Sequence, residues 1–136
     1  MYFVFMEKQN YVYLLDDDAS SRKGLTKLLM AAGYNVNAYA SPNKLLDALG
    51  SDISGCILLT IGIPGMSGKE LLSKLKKHGT NIPIIAISGD DDFATKQIAK
   101  DIKAVGFFRK PVDGTALLDA IEWALIDCNL GKTLIT

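Results

Sequence analysis

Four short stretches of this 136-residue chain carry side chains that can do chemistry together. Asp16-Asp17-Asp18 is a run of carboxylates, Thr60 and Ser88 are hydroxyls, and Lys110 is an ammonium directly before Pro111. Adjacent carboxylates repel one another, and a lysine brought beside them supplies the counter-charge. A carboxylate such as Asp17 can also act as a nucleophile. A threonine hydroxyl is neutral and a poor nucleophile without a base to activate it. The only histidine, His78, ends a basic helical segment with Lys74, Lys76 and Lys77. That placement is a solvated helix face, and it leaves no histidine-based acid–base or phosphoryl-carrying site.

Each of the four stretches follows an apolar run, and those runs are what must position them. Tyr11-Val-Tyr-Leu-Leu15, Cys56-Ile-Leu-Leu59, Pro83-Ile-Ile-Ala-Ile87 and Ala104 to Phe108 read as strands, with Tyr34 to Ala40 as a further one. The middle two have no polar face, as expected of strands covered on both sides. Helical patterns alternate with them. Leu25, Leu28, Leu29 and Ala32 share one face, with Ser20 or Ser21 as cap and Gly33 as terminator. Leu45, Leu46 and Leu49 follow Ser41-Pro42, and Leu71, Leu72 and Leu75 follow a Gly- and Pro-rich loop. Asp90-Asp91-Asp92 opens a helix expected to turn Ala94, Ile98 and Ile102 inward, its acids favoured by the helix dipole. Asp113 starts the last helix, with Leu117, Leu118, Ile121, Ala124 and Leu125 on its inner face. Strands alternating with helices argue an α/β domain with a parallel sheet and helices on both faces. All strands of such a sheet end at one edge, where ligands and chemistry collect.

Composition narrows the function classes. Apolar residues make up 49% and charged ones 22%, as in one folded domain rather than a disordered chain. Fifteen acidic and fifteen basic side chains cancel, so no overall field favours nucleic acid or an anionic membrane. Cys56 and Cys128 form neither a disulfide framework nor a metal pattern. There is no membrane-length apolar run and no signal-peptide pattern, so a cytoplasmic location is expected. Tyr2-Phe-Val-Phe5 reads as an extension, with Met6 as an alternative start.

Ile63-Pro64-Gly65-Met66-Ser67-Gly68 resembles the loop after the third strand of response-regulator receiver domains, the two-component signalling family. The ordered set of Asp16-Asp17, Ser88, Phe107 and Lys110-Pro111 extends that resemblance from about Asn10 to Leu125. It implies a flavodoxin-like (βα)5 fold with strand order 2-1-3-4-5. It divides the chain into an extension (1–9), a receiver-like domain (10–126) and a tail or linker start (127–136). It also implies roles. The acidic pair and a phosphoacceptor aspartate hold Mg2+, a hard cation that takes oxygen ligands. The ion and the lysine offset charge on the transferring phosphoryl group. The hydroxyl at Ser88 contacts that group, and the aromatic at Phe107 switches the partner-binding face. Partners are a histidine kinase or an output protein, and homodimers form through the fourth helix, fifth strand and fifth helix.

The resemblance departs from the family at its centre. The phosphoacceptor lies four residues before the Pro, and that position is Thr60. The expected function is therefore a pseudo-receiver acting by protein–protein interaction, not an enzyme, needing no cofactor and binding Mg2+ weakly or not at all through Asp16 and Asp17. Gly65, where many relatives carry an acid, is a minor departure. Two alternatives remain. Phosphorylation moves to Thr60 through a Ser/Thr kinase, or to Asp17. Alternatively, Asp16-x-Asp18-x-Ser20 with Ser88 and Lys110 is similar to haloacid-dehalogenase phosphatases, which need a further acidic pair after the lysine. Only the separate Asp113, Asp119, Glu122 and Asp127 follow it. Flavin is disfavoured, because three carboxylates repel its phosphate. On the last helix Trp123 lies about 200° from Ile121 and faces outward, an interface anchor rimmed by Lys100, Lys103, Arg109, Asp119 and Glu122.

Overall fold

A computed structural model of the chain describes residues 11–49, 54–62, 67–77 and 82–135. The expected extension over 1–9, Gly65 with most of its motif, and His78 fall outside the described residues. In chain order the elements are β1 (Tyr11–Leu15), α1 (Ala19–Ala31), β2 (Asn35–Tyr39), α2 (Pro42–Ala48), β3 (Cys56–Thr60), α3 (Gly68–Lys77), β4 (Ile84–Ser88), α4 (Phe93–Asp101), β5 (Gly106–Arg109) and α5 (Gly114–Ile135). The five strands form one sheet in the order β2-β1-β3-β4-β5, and every pairing is parallel. This is the flavodoxin-like arrangement the resemblance implies.

The strand compositions follow from their places in the sheet. β3 and β4 are buried at every residue, which is why Cys56-Ile-Leu-Leu-Thr60 and Ile84-Ile-Ala-Ile-Ser88 lack an alternating polar face. The edge strand β2 is not buried at any residue: Asn35, Asn37 and Ala38 are exposed and Val36 and Tyr39 are half-buried. Side chains on one face of the sheet (Leu15, Ile57, Leu59, Ala86) pack with Leu45, Leu46, Leu71, Leu75, Ala99 and Ile102 of the α2–α3–α4 side. Those on the other face (Val12, Leu14, Leu58, Ile85, Ile87) pack with Leu25, Leu29, Leu117, Ile121 and Leu125 of α1 and α5. Fully burying each such aliphatic side chain contributes about 1.5–3 kcal/mol, so the two layers hold the strand ends in place.

Glycine is required at two turns. Gly33 ends α1 at φ +95°, as expected of a left-handed cap. Gly55 has φ +134°, and any Cβ there would collide with the carbonyl oxygen of Tyr11.

Several local expectations are corrected. Asp18, not Ser20 or Ser21, caps α1: its carboxylate accepts from the Ser21 N–H at 3.1 Å. Aspartate caps as well as serine, and it stands at the right spacing. Ala32 is exposed beyond the helix end. On α4 the buried residues are Thr95 and Ala99, one step from the expected Ala94 and Ile98, while Ile102 is buried as expected. The three acids precede that helix rather than fill its first turn; Asp92 caps it through the Thr95 N–H at 2.8 Å. α5 runs on to Ile135, through the stretch in which no apolar pattern was evident. Among the described residues no helix is long and apolar enough to cross a membrane.

Candidate functional site

Parallel register brings the four stretches to one edge of the sheet. Leu15 pairs with Leu59, Thr60 with Ile87, and Ser88 with Arg109, so Asp16, Thr60, Ser88 and Lys110 all stand at carboxyl ends of strands. The backbone continues the ladder past the strands, with Asp16 N–H donating to Tyr39 O at 3.1 Å and Lys110 N–H to Ser88 O at 2.8 Å. The Lys110–Pro111 bond is cis.

Asp16 is the centre of the site. It is fully buried, and its carboxylate accepts three hydrogen bonds. Oδ1 accepts from the Asp18 N–H at 3.0 Å, and Oδ2 accepts from Ser21 Oγ at 2.6 Å and from Lys110 Nζ at 3.0 Å. Arg22 Nη1 donates to the Asp16 carbonyl at 2.8 Å, which fixes the backbone as well. Burial alone raises the carboxyl pKa, but the Ser21 hydroxyl, the Asp18 N–H and the Lys110 ammonium together outweigh it and hold it below the usual value. Asp16 is therefore a locked anion.

The other expected site residues divide sharply. Asp17, next in sequence, turns out to solvent. Ser88 is buried, and its Oγ accepts from the Asp90 N–H at 3.0 Å, closing the turn after β4. Phe107, paired with Ala86 and so on the same sheet face as Ser88, is half-buried against the layer containing Ala99 and Ile102. Thr60 is 8% exposed, and its Oγ1 finds no hydrogen-bond partner among the described residues. A buried hydroxyl without a partner costs about 1–3 kcal/mol, so it is an anomaly that an ordinary core position would not keep. Trp123 stands well away on α5, 70% exposed. The strand end beside Thr60 borders a cleft of about 410 Å³ whose walls include Leu15, Leu59, Ile61 and Leu71.

Two contributors were not identified from sequence. In the sequence Ser21 stands out only as a helix cap, and Arg22 carries no motif. Their signal is positional: the first turn of a helix that follows a strand-end acid lies over that acid.

The arrangement fits a closed ion pair better than a metal site. A divalent cation here needs converging oxygen ligands, yet both Asp16 oxygens already have donors and Thr60 offers only a neutral hydroxyl. Among the described residues no three His, Cys, Asp or Glu side chains converge on a point that could hold a metal. A resident Mg2+ does not fit these residues without breaking the Asp16–Lys110 pair.

The chain is 33% identical over 120 residues to the transcriptional regulatory protein FixJ of Bradyrhizobium diazoefficiens, covering 88% of this chain and 58% of FixJ. It is 35% identical over 119 residues to the response regulator protein TodT of Pseudomonas putida, covering 88% of this chain and 52% of TodT. The crystal structure of FixJ-N superposes with a TM-score of 0.76 at 34% identity, covering 86% of this chain and 94% of that one. The chain thus spans about half the length of the curated relatives it matches. Residues 12–122 match the family described as the response regulator receiver domain. Fold and relatives agree, and the chain belongs to the response regulator receiver domain family.

Proposed function

We propose that this receiver domain signals through protein contacts without accepting a phosphoryl group at position 60. The observation that carries the reading is Thr60 itself: a buried hydroxyl, without a hydrogen-bond partner among the described residues, stands where the family's chemistry requires a carboxylate. The Asp16–Lys110 pair supplies the charge balance that the metal supplies in the family scheme. The domain is then a cytoplasmic interaction module with no turnover of its own, and it meets a kinase or an output protein through the edge formed by α4, β5 and α5. Sites for nucleic acid and for membrane are not part of this reading. The domain proper is 10–126.

The alternatives are supported less well. A Ser/Thr kinase cannot reach Thr60 Oγ1 without opening the end of β3, since the atom is shielded from solvent. A phosphatase needs a further acidic pair after Lys110. Asp113 instead caps α5 through the Ala116 N–H at 3.1 Å, and Asp119 and Glu122 lie exposed on that helix. Asp17 is favoured as a second acceptor only by its exposure, and Lys110 is already committed to Asp16.

Beryllium fluoride, a phosphoryl mimic that binds aspartate carboxylates, tests the reading. With Mg2+ present, the backbone amides of Ser88, Phe107 and Lys110 are expected not to move in a nitrogen–proton NMR titration of the natural chain. In Thr60→Asp they are expected to move. Equal movement in both proteins would overturn the reading.

A further inference from the structure

We propose that the cleft beside the end of β3 binds a small, uncharged, mainly apolar molecule of the compact aromatic class. The inference rests on the contact-signalling reading above and names a ligand for the same strand end.

The cleft has the size and walls of a ligand site. Its volume of about 410 Å³ lies at the lower end of the roughly 300 to 1,000 Å³ typical of small-molecule sites. Leu15 of β1, Pro42 of α2, Leu59 of β3, Leu71 of α3 and Ile98 of α4 converge on it, with Ile61 just past β3. Apolar walls brought together from separate elements make a concave site, and this one stands by the carboxyl ends of β1 and β3, where such sheets take ligands. Ile98 is the residue that ordinary packing explains least. It is 37% exposed although its helix turns Thr95 and Ala99 to the core, and it lines the cleft instead.

The polar groups of the wall disfavour a charged occupant. Lys69 Nζ and Asp101 Oδ2 stand 3.9 Å apart between α3 and α4, so each offsets the other. Asp101 Oδ1 also accepts from Gln97 Nε2 at 3.3 Å. The Ser67 hydroxyl is engaged as well, accepting from the Glu70 N–H at 3.1 Å. Thr60 completes the lining with a neutral side chain, where the carboxylate that the family's chemistry requires would charge the rim. A charged molecule entering here loses water without finding a free counter-charge, which costs far more than burying a neutral ring. The Lys69–Asp101 pair is long and its lysine is 76% exposed, so it parts at little cost to admit a ligand. An occupant touches position 60 and α4 together, which joins the altered strand end to one element of the proposed contact edge.

Indole is the probe, with tryptamine and indole acetate as the same ring carrying a positive or a negative charge. In a carbon–proton NMR titration of the natural chain, the methyl groups of Leu59, Ile61, Leu71 and Ile98 are expected to shift together and to saturate with indole. The two charged analogues are expected to bind about tenfold more weakly or worse. Ile98→Trp fills the cleft with a ring of the same kind, and is expected to weaken indole binding by about tenfold or more with melting unchanged. Ile98→Asp, which charges the wall at a half-exposed position, is expected to give the same loss. Met30→Trp, on the exposed side of α1, is expected to bind indole as the natural chain does. Methyl groups that stay in place up to the solubility limit of indole, equal affinity for the charged analogues, or undiminished binding in Ile98→Trp would overturn the proposal. The two readings fail separately: no indole binding in a chain silent to beryllium fluoride sinks only the ligand site, and indole binding in a chain that responds to beryllium fluoride sinks only the phosphorylation-free reading.

Discussion

Lys110→Met is expected to lower the stability of the domain by about 2 kcal/mol. The substitution keeps an unbranched apolar stem and removes the charge that faces a fully buried carboxylate. Stranding one partner of a buried pair costs about 3–5 kcal/mol. The lysine side chain is 25% exposed, and Asp16 keeps its bonds from Ser21 and Asp18, so the cost falls toward the lower value. A surface lysine ending a strand would give a change within about 0.5 kcal/mol. Urea unfolding at neutral pH separates the two outcomes. The acid limb carries the same information. Because folding depresses the Asp16 pKa, its stabilisation is present above the unfolded value near 3.9 and is lost as pH falls through the folded value. Lys110→Met raises the folded pKa, so acid unfolding begins at a higher pH than in the natural chain.

Thr60→Asp is expected to make the domain dependent on Mg2+. A second carboxylate on the strand end next to that of Asp16 competes for the Lys110 ammonium, and two like charges there cannot both be neutralised by it. Without metal the variant loses stability. With Mg2+ the ion offsets the added negative charge of the new carboxylate next to Asp16, and the melting temperature recovers. The natural chain is expected to melt at the same temperature in EDTA and in millimolar Mg2+. Calorimetric titration of both proteins gives the complementary reading, with tighter Mg2+ binding in the variant. Equal affinities would show that the residue at position 60 contributes nothing to metal binding.

The sheet was legible because buried strands leave a strong mark: two runs of four or five apolar residues, each ending at a polar residue, admit few other readings. Strand order was not in the periodicity at all and came only with the resemblance. Within the site, residue types were legible and their division of labour was not. Asp16 and Asp17 are neighbours of identical chemistry, yet one is fully buried with three donors and the other faces solvent. Neighbours at a strand end point to opposite sides, and which one turns in depends on where α1 and Lys110 arrive. Ser21 was misread for the same reason, since its Oγ is drawn to Asp16 while Asp18 takes the cap. On α4 the long apolar Ile98 suggests an inner face, but the start set by Asp92 turns Thr95 and the small Ala99 inward instead. The length of α5 beyond Leu125 was illegible because a helix once formed propagates at little cost and needs no apolar stripe to continue.

The central claim is signalling without an acyl phosphate, and intact-protein mass after incubation with acetyl phosphate and Mg2+ checks it most directly. No hydroxylamine-labile mass increase is expected on the natural chain. A near-stoichiometric, hydroxylamine-sensitive gain of one phosphoryl group would place an acyl phosphate on a carboxylate such as Asp17 and contradict signalling without phosphorylation.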